Sequence, residues 1–298
     1  MELRVTIGQA IRKLREESKL SQEELAFRSD ITYQYLSAIE NGKENFTIGV
    51  LEAIAAGLKC DLFKLLSEAF LTKAGCHPPK VNRDYFRKGT PLPVLLKAGQ
   101  IESALNETQR IIGLINSNLM ASGARVLQSY IQGNNFSGLV SNLLCDSLTQ
   151  CTSLNHNSHQ TYPDLVGVDP KTKKTVGLEV KSTINIGKGG ESHNGHSGWH
   201  LIACYQMNDK TGNILFVHVM VACLNAHNDK NPDWNYLGSK VNPETGSRRT
   251  ETYTTNLSGT TKLRDGSIYL DPAHINFSKW RQIKREQDEV PSYSIFRR

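Results

Sequence analysis

Asp164, Glu179 and Lys181 are the residues of this chain whose types and spacing could do chemistry together; they lie in "YPDLVGVDPKTKKTVGLEVKST", residues 162–183. In "TVGLEVKS" strand alternation sets Val176, Leu178 and Val180 on one face and Gly177, Glu179 and Lys181 on the other. The intervening "DPKTKKT" is turn-like, so an antiparallel pair carries Asp164 toward Glu179. Two carboxylates at one spot repel each other unless a cation lies between them, and hard oxygen donors at an open site suit Mg²⁺. Lys181 then orients or helps to deprotonate a water for in-line attack on phosphorus. The competing reading is a charged hairpin that faces water.

The surrounding chain has the means to position such a site. Its 298 residues are 38% hydrophobic, enough for one large domain or for a small one beside a larger one. No run of about 18 apolar residues occurs and the N-terminus lacks the apolar stretch of a secretory signal, which predicts a cytoplasmic location. Six scattered cysteines without a CxxC pair suit reduced structural thiols. Residues 1–75 hold 10 Lys/Arg against 11 Asp/Glu, whereas residues 76–298 hold 25 against 18, so the positive field lies in the larger part and favours a polyanionic partner.

The first seventy residues read as five short helices. Ile7, Ala10, Ile11 and Leu14 recur at helical spacing. Ser21 three residues before Glu24 is a capping box, Asp30 is a candidate cap for the third helix, and Asn41-Gly42 ends it. "LSQEELAFRSDITYQYLSAIENGK" followed by "VLEAIAAGLKCDLFKLL" resembles the helix-turn-helix domain of the Cro and phage-repressor (Xre) family. The resemblance implies a buried Arg15–Glu40 pair, and a positive-φ position held here by Asp30 where the family commonly has Gly. It also implies that Gln22 meets phosphate while Thr32, Tyr33, Gln34 and Ser37 face base edges, with Lys43 close by and Gln34 best suited to adenine. The module's slightly acidic balance leaves open a role in docking or dimerisation instead of DNA contact.

Residues 73–93, with four prolines, read as a linker between a 1–72 helix-turn-helix domain and a 94–298 domain. The latter opens with a helix whose apolar face carries Ile101, Leu105, Ile112, Ile115 and Leu119. A second helical stretch runs to about Ile131, followed by a third, "FSGLVSNLLCDSLTQ". "PDLVGV", "TVGLEVKST" and "NILFVHVMVACLN" read as three neighbouring strands, with "SIYLDP" a fourth, which gives an α/β or α+β domain with a central mixed sheet.

Pro163-Asp164 with Glu179-Val180-Lys181, preceded by helices, resembles the PD-(D/E)XK nuclease superfamily. The resemblance implies Asp164, Glu179 and Lys181 as catalytic residues and Asp164, Glu179 and the Val180 backbone carbonyl as Mg²⁺ ligands; Asp146 or Glu107 could supply a further acid. "INIGKGGESHNGHSGWH" offers Lys188, His193, His196 and His200 to DNA, while a zinc site on His193, His196 and His200 at HxxHxxxH spacing and a plain structural loop are the alternatives. A second stretch gathers Lys240, Arg248, Arg249, Lys262 and Arg264 as DNA-reading residues, while His218 sits in an apolar strand as a core histidine.

A helix-turn-helix module joined to such a core is similar to a prokaryotic type II restriction endonuclease. That implies Mg²⁺-dependent cutting of double-stranded DNA to 5′-phosphate and 3′-hydroxyl ends, a homodimer, and a cognate DNA methyltransferase in the same system. The alternatives are a modification-dependent endonuclease, and a transcription regulator whose larger domain is catalytically inactive.

Overall fold

A computed structural model describes residues 3–73, 78–157, 161–187, 189–193, 195–238, 251–275 and 285–297. The chain divides into two compact units. One comprises Met1–Pro78, Arg110–Tyr130 and Asn208–Asn213; the other comprises Pro79–Gln109, Ile131–Met207 and Ile214–Arg298.

The first unit begins with α1 (Leu3–Glu17), α2 (Gln22–Arg28), α3 (Tyr33–Glu40), α4 (Ile48–Gly57) and α5 (Leu62–Lys73). The positions that recur at helical spacing in α1 are buried, and with Leu25, Leu36, Ile39, Ile54 and Leu65 they form one apolar core. Each buried Leu or Ile side chain contributes about 1.5–3 kcal/mol on leaving water. Ser21 Oγ accepts from the Glu24 N–H at 3.1 Å, as the capping box requires. Asp30 has φ +52°, so it makes the left-handed turn between α2 and α3 and does not cap α3. The cap is Thr32, whose Oγ1 accepts from the Tyr35 N–H at 3.2 Å. Gly8 permits the close approach of α1 to α3, because a Cβ there would lie 2.2 Å from the Ile39 carbonyl oxygen.

The second unit is a mixed α/β structure. Its helices are the first half of α6 (Ala98–Ala121), α7 (Gly133–Cys151) and α8 (Leu257–Asp265). The two helical stretches expected before Ile131 are one continuous helix and a 3₁₀ turn at Leu127–Ser129. Thr108 Oγ1 donates to Ser147 Oγ at 3.2 Å, joining α6 to α7. The strands are β1 (Asn155–His156), β2 (Leu165–Val168), β3 (Thr175–Thr183), β4 (Glu191–His193), β5 (Gly198–Met207), β6 (Ile214–Leu224), β7 (Trp234–Gly238), β8 (Thr252–Thr255) and β9 (Ser267–Leu270).

Six of them form a central mixed sheet in the order β1-β2-β3-β5-β6-β9, with β3 and β5 parallel and the other pairs antiparallel. Of the three strands expected to be neighbours, β2 and β3 do pair, whereas β5 enters between β3 and β6. A three-stranded antiparallel sheet, β4-β8-β7, accompanies it. Part of the segment expected as linker is bonded into this unit: the Val81 N–H donates to Asn106 Oδ1, the Arg87 N–H to the Ile268 carbonyl, and Phe86 bridges Tyr269. Among the described cysteines all five are free, and burial pushes the Cys204 thiol up to about 12. Cys76 lies outside the described residues.

Candidate active site

The β2–β3 hairpin places Asp164 where β2 begins, beside Glu179. Leu165 pairs with Leu178, so Asp164 stands next along the register. Two reciprocal bonds lock it there: the Asp164 N–H donates to Glu179 Oε2 at 3.3 Å, and the Val180 N–H donates to Asp164 Oδ2 at 2.8 Å. Gly177 makes room for this arrangement, since a Cβ on it would lie 2.4 Å from Pro163 Cγ. A glycine inside a strand is the sequence sign of close approach by another segment, a sign that motif spacing alone passes over.

Lys181 Nζ lies 2.5 Å from Glu179 Oε1 and 4.0 Å from Asp164 Oδ2, so the three expected catalytic residues converge. Glu179 is only 6% exposed, while the Asp164 and Lys181 side chains are half-buried. Burial raises the Asp164 carboxyl above its ordinary value, Lys181 opposes that rise, and the Glu179 carboxylate adds to it. For Lys181, burial pulls the ammonium down but the Glu179 and Asp164 carboxylates override it, and the net direction is upward. Asp164 is thus a strained anion in a pair that one ammonium partly neutralises.

Among the described residues no strand continues on the β2 side of β3 beyond Glu179. The Val180 N–H points there, toward Asp164. A strand residue presents its N–H and C=O to the same side, so the Val180 carbonyl faces the same edge. Asp164, Glu179 and this carbonyl are the hard oxygen donors here that could hold a divalent cation. A cleft of about 340 Å³ is lined by Asp164, Val180, Lys181 and Thr252 and by Asn134 and Asn142 of α7. Serines fix that α7 wall: the Ser182 N–H donates to Ser141 Oγ at 2.9 Å, and Ser182 Oγ donates to the Ser137 carbonyl at 2.6 Å.

The proposed DNA-facing loops are arranged differently from the sequence expectation. His200 is a buried residue of β5, its Nδ1 on the Gly198 carbonyl at 2.9 Å; burial drives its pKa down to about 4 and keeps it neutral. His196 is half-buried and stacks on Tyr162, ring centroids 4.2 Å apart. Among the described residues no three His, Cys, Asp or Glu side chains gather to hold a metal. Lys262 and Arg264 belong to α8 and face the protein's own acceptors: Lys262 Nζ lies 2.6 Å from the buried Asp233, and the Arg264 guanidinium donates twice to the Gly187 carbonyl. Lys188, Lys240, Arg248 and Arg249, and the side chain of His193, lie outside the described residues. His218 is the expected core histidine, fully buried with Nε2 2.8 Å from Ser267 Oγ.

In the N-terminal unit the Arg15 guanidinium grips Glu40 bidentately, at 2.7 and 2.9 Å, in a buried pair. Gln22 Nε2 donates to the same Glu40 at 2.7 Å, so its amide is engaged within the module. Thr32, Tyr33 and Gln34 are exposed at the start of α3, Ser37 is half-buried one turn on, and Lys43 is exposed beyond the helix.

A helix-turn-helix family model matches residues 11–65, and this defines the module's class as DNA-binding. The control protein C.MunI of Mycoplasma sp is 41% identical over 68 residues, 22% of this chain and 92% of the relative. The control protein C.BamHI of Bacillus amyloliquefaciens is 35% identical over 79 residues, 26% of this chain and 95% of the relative. A solved restriction-modification controller, the C.Esp1396I tetramer in complex with its natural 35 base-pair operator, is 34% identical over 23% of this chain and 96% of its own, with a TM-score of 0.22. Through its N-terminal residues the chain belongs to the helix-turn-helix family of these control proteins. Among the described residues no helix is long and apolar enough to cross a membrane.

Proposed function

We propose that the chain is a Mg²⁺-dependent endonuclease of double-stranded DNA, in the manner of a type II restriction enzyme, with the helix-turn-helix module adding DNA affinity. The observation that carries this reading is the convergence of Asp164, Glu179 and Lys181 at the strand edge to which the Val180 carbonyl also turns. Asp164, Glu179 and that carbonyl would hold Mg²⁺, which supplies a Lewis acid for the charge that develops on the phosphoryl oxygens. Lys181 holds and orients water near Glu179. Attack by that water on phosphorus breaks the bond to O3′, leaving a 5′-phosphate on one fragment and a 3′-hydroxyl on the other. The cleft beside α7 admits the strand. Fragments produced with Mg²⁺ are expected to religate without kinase or phosphatase treatment; fragments that require either would mean a different bond is cut.

A second reading is favoured by the similarity to control proteins: a DNA-binding regulator whose larger unit does not cut. It predicts a protected footprint on duplex DNA with Mg²⁺ present and no strand scission. A modification-dependent endonuclease shares the site, and is distinguished by cutting methylated but not unmethylated substrate.

A further inference from the structure

Gly138 stands inside α7, on the face that lines the cleft together with Asp164, Lys181 and Thr252. A glycine inside a helix weakens it, because the backbone gains freedom in the unfolded chain and no side chain is buried in return. Elsewhere such a glycine has a packing reason. A Cβ on Gly8 of α1 would lie 2.2 Å from the Ile39 carbonyl oxygen, and one on Gly259 of α8 would lie 2.4 Å from the Asp233 carbonyl oxygen. At Gly138 no atom of the described residues lies within 4 Å of where a Cβ would be, and its φ is not positive. Neither packing nor backbone conformation therefore requires glycine. The serines beside it differ, since Ser137 and Ser141 are bonded to Ser182 of β3. What the missing side chain provides is room in the cleft.

Asn134 and Asn142 flank this room, each about one helical turn from Gly138; both are exposed and both line the same cleft. At a rise of about 1.5 Å per residue they stand about 12 Å apart along α7, the axial rise of roughly three to four nucleotides of one strand. Asparagine amides donate to phosphate oxygens. The excess of Lys and Arg in residues 76–298 favours a polyanion as the occupant. On the nuclease reading given above, we propose that the DNA strand to be cut runs along α7, with its sugar–phosphate backbone against Gly138 and flanking phosphates on Asn134 and Asn142. The scissile phosphate then faces Asp164 and Lys181 across the cleft. The α7 residues bind and align the strand and exchange no proton with it.

Gly138→Ala and Gly138→Leu fill the room with residues that favour a helix. Both are expected to raise the thermal midpoint, Gly138→Ala by about 2–4 °C, while Gly138→Leu lowers kcat/KM for DNA cleavage about 100-fold through misplacement of the strand. A glycine needed for packing gives the opposite sign in the midpoint. Unchanged cleavage in Gly138→Leu, or a lowered midpoint in either variant, overturns the assignment. Asn134→Asp sets an acid in the first turn of α7, where the helix favours it, but turns a negative charge toward phosphate. It is expected to keep the midpoint and to lose more cleavage than Asn134→Ala; an equal or smaller loss overturns the phosphate contact. An independent measurement needs no cleavage: alkylation of the thiol introduced by Gly138→Cys, read by peptide mass mapping, with plasmid DNA and with Ca²⁺, which hard oxygen donors also accept, in place of Mg²⁺. Saturating DNA is expected to abolish alkylation at position 138, and undiminished alkylation refutes the path along α7. If wild-type protein cuts no DNA, the nuclease reading fails while protection at position 138 still decides where the strand lies.

Discussion

Replacing Lys181 with methionine removes the ammonium and keeps most of the apolar stem, which isolates what the charge does between the two carboxylates. At the 4.0 Å that separates Nζ from Asp164, an effective dielectric of about 20 gives roughly 4 kcal/mol of attraction. The Lys181 side chain is 36% exposed, so water screens part of that, and the net loss expected on substitution is about 1–3 kcal/mol at pH 7. The pH window follows from the direction of the shifts. The folded-state pKa of Lys181 is raised, so its contribution is complete below its unfolded value of about 10.4 and is lost as pH rises through the folded value. Asp164 is raised as well, so its ionisation opposes folding as pH climbs from about 3.8 through the folded value; the lysine relieves that cost. The difference between wild type and Lys181→Met is therefore expected to be full at neutral pH, to shrink as pH rises through the folded value of Lys181, and to shrink again as acid protonates Asp164. Mg²⁺ should restore the variant, since a cation at 100 times its dissociation constant adds about 2.7 kcal/mol. Urea unfolding across pH, with and without Mg²⁺, measures all of this. A variant as stable as wild type at pH 7, or one indifferent to Mg²⁺, would refute the idea that the lysine and the cation answer the same carboxylate repulsion.

Gly177→Val places a side chain where Pro163 now sits, moving Asp164 away from Glu179; it is expected to abolish cleavage with little change in circular dichroism, and retained activity would show that the approach of Pro163 is dispensable. In the helix-turn-helix module, Gln34→Ala is expected to lose about 1–3 kcal/mol for one DNA sequence over others, while Lys43→Ala weakens all sequences alike and lowers the salt slope by about one. Titrations of specific and random duplexes at several salt concentrations separate the two, and equal losses for both duplexes with Gln34→Ala would remove that residue from base reading.

Where chemistry and geometry are local, the sequence is readable. The Ser21–Glu24 box, the left-handed Asp30 and the Arg15–Glu40 pair each depend on a few residues within one small module, and the structure has all three. The hairpin that joins Asp164 to Glu179 is likewise short, and its alternation survives intact. What escaped is non-local. β5 is buried on both faces at Leu201–Tyr205, so it has no alternation, and it follows an irregular Gly-rich crossover that hides its start. The small β4-β8-β7 sheet is built largely from polar strands that resemble loops. Lys262 and Arg264 looked like DNA contacts because composition shows a charge but not its partner; Asp233 lies 29 positions from Lys262, and the Gly187 carbonyl carries no formal charge. His200 was weighed as a zinc ligand through its spacing to other histidines, whereas it is a buried β5 residue paired in register with Glu179, which no linear pattern records.

The most direct measurement is one gel: purified protein with unmethylated phage or plasmid DNA and Mg²⁺, beside Asp164→Ala and Lys181→Ala. The account predicts discrete fragments from the wild type and intact DNA from both variants. Intact DNA in every lane, with methylated substrate uncut as well, would contradict it and leave a DNA-binding regulator.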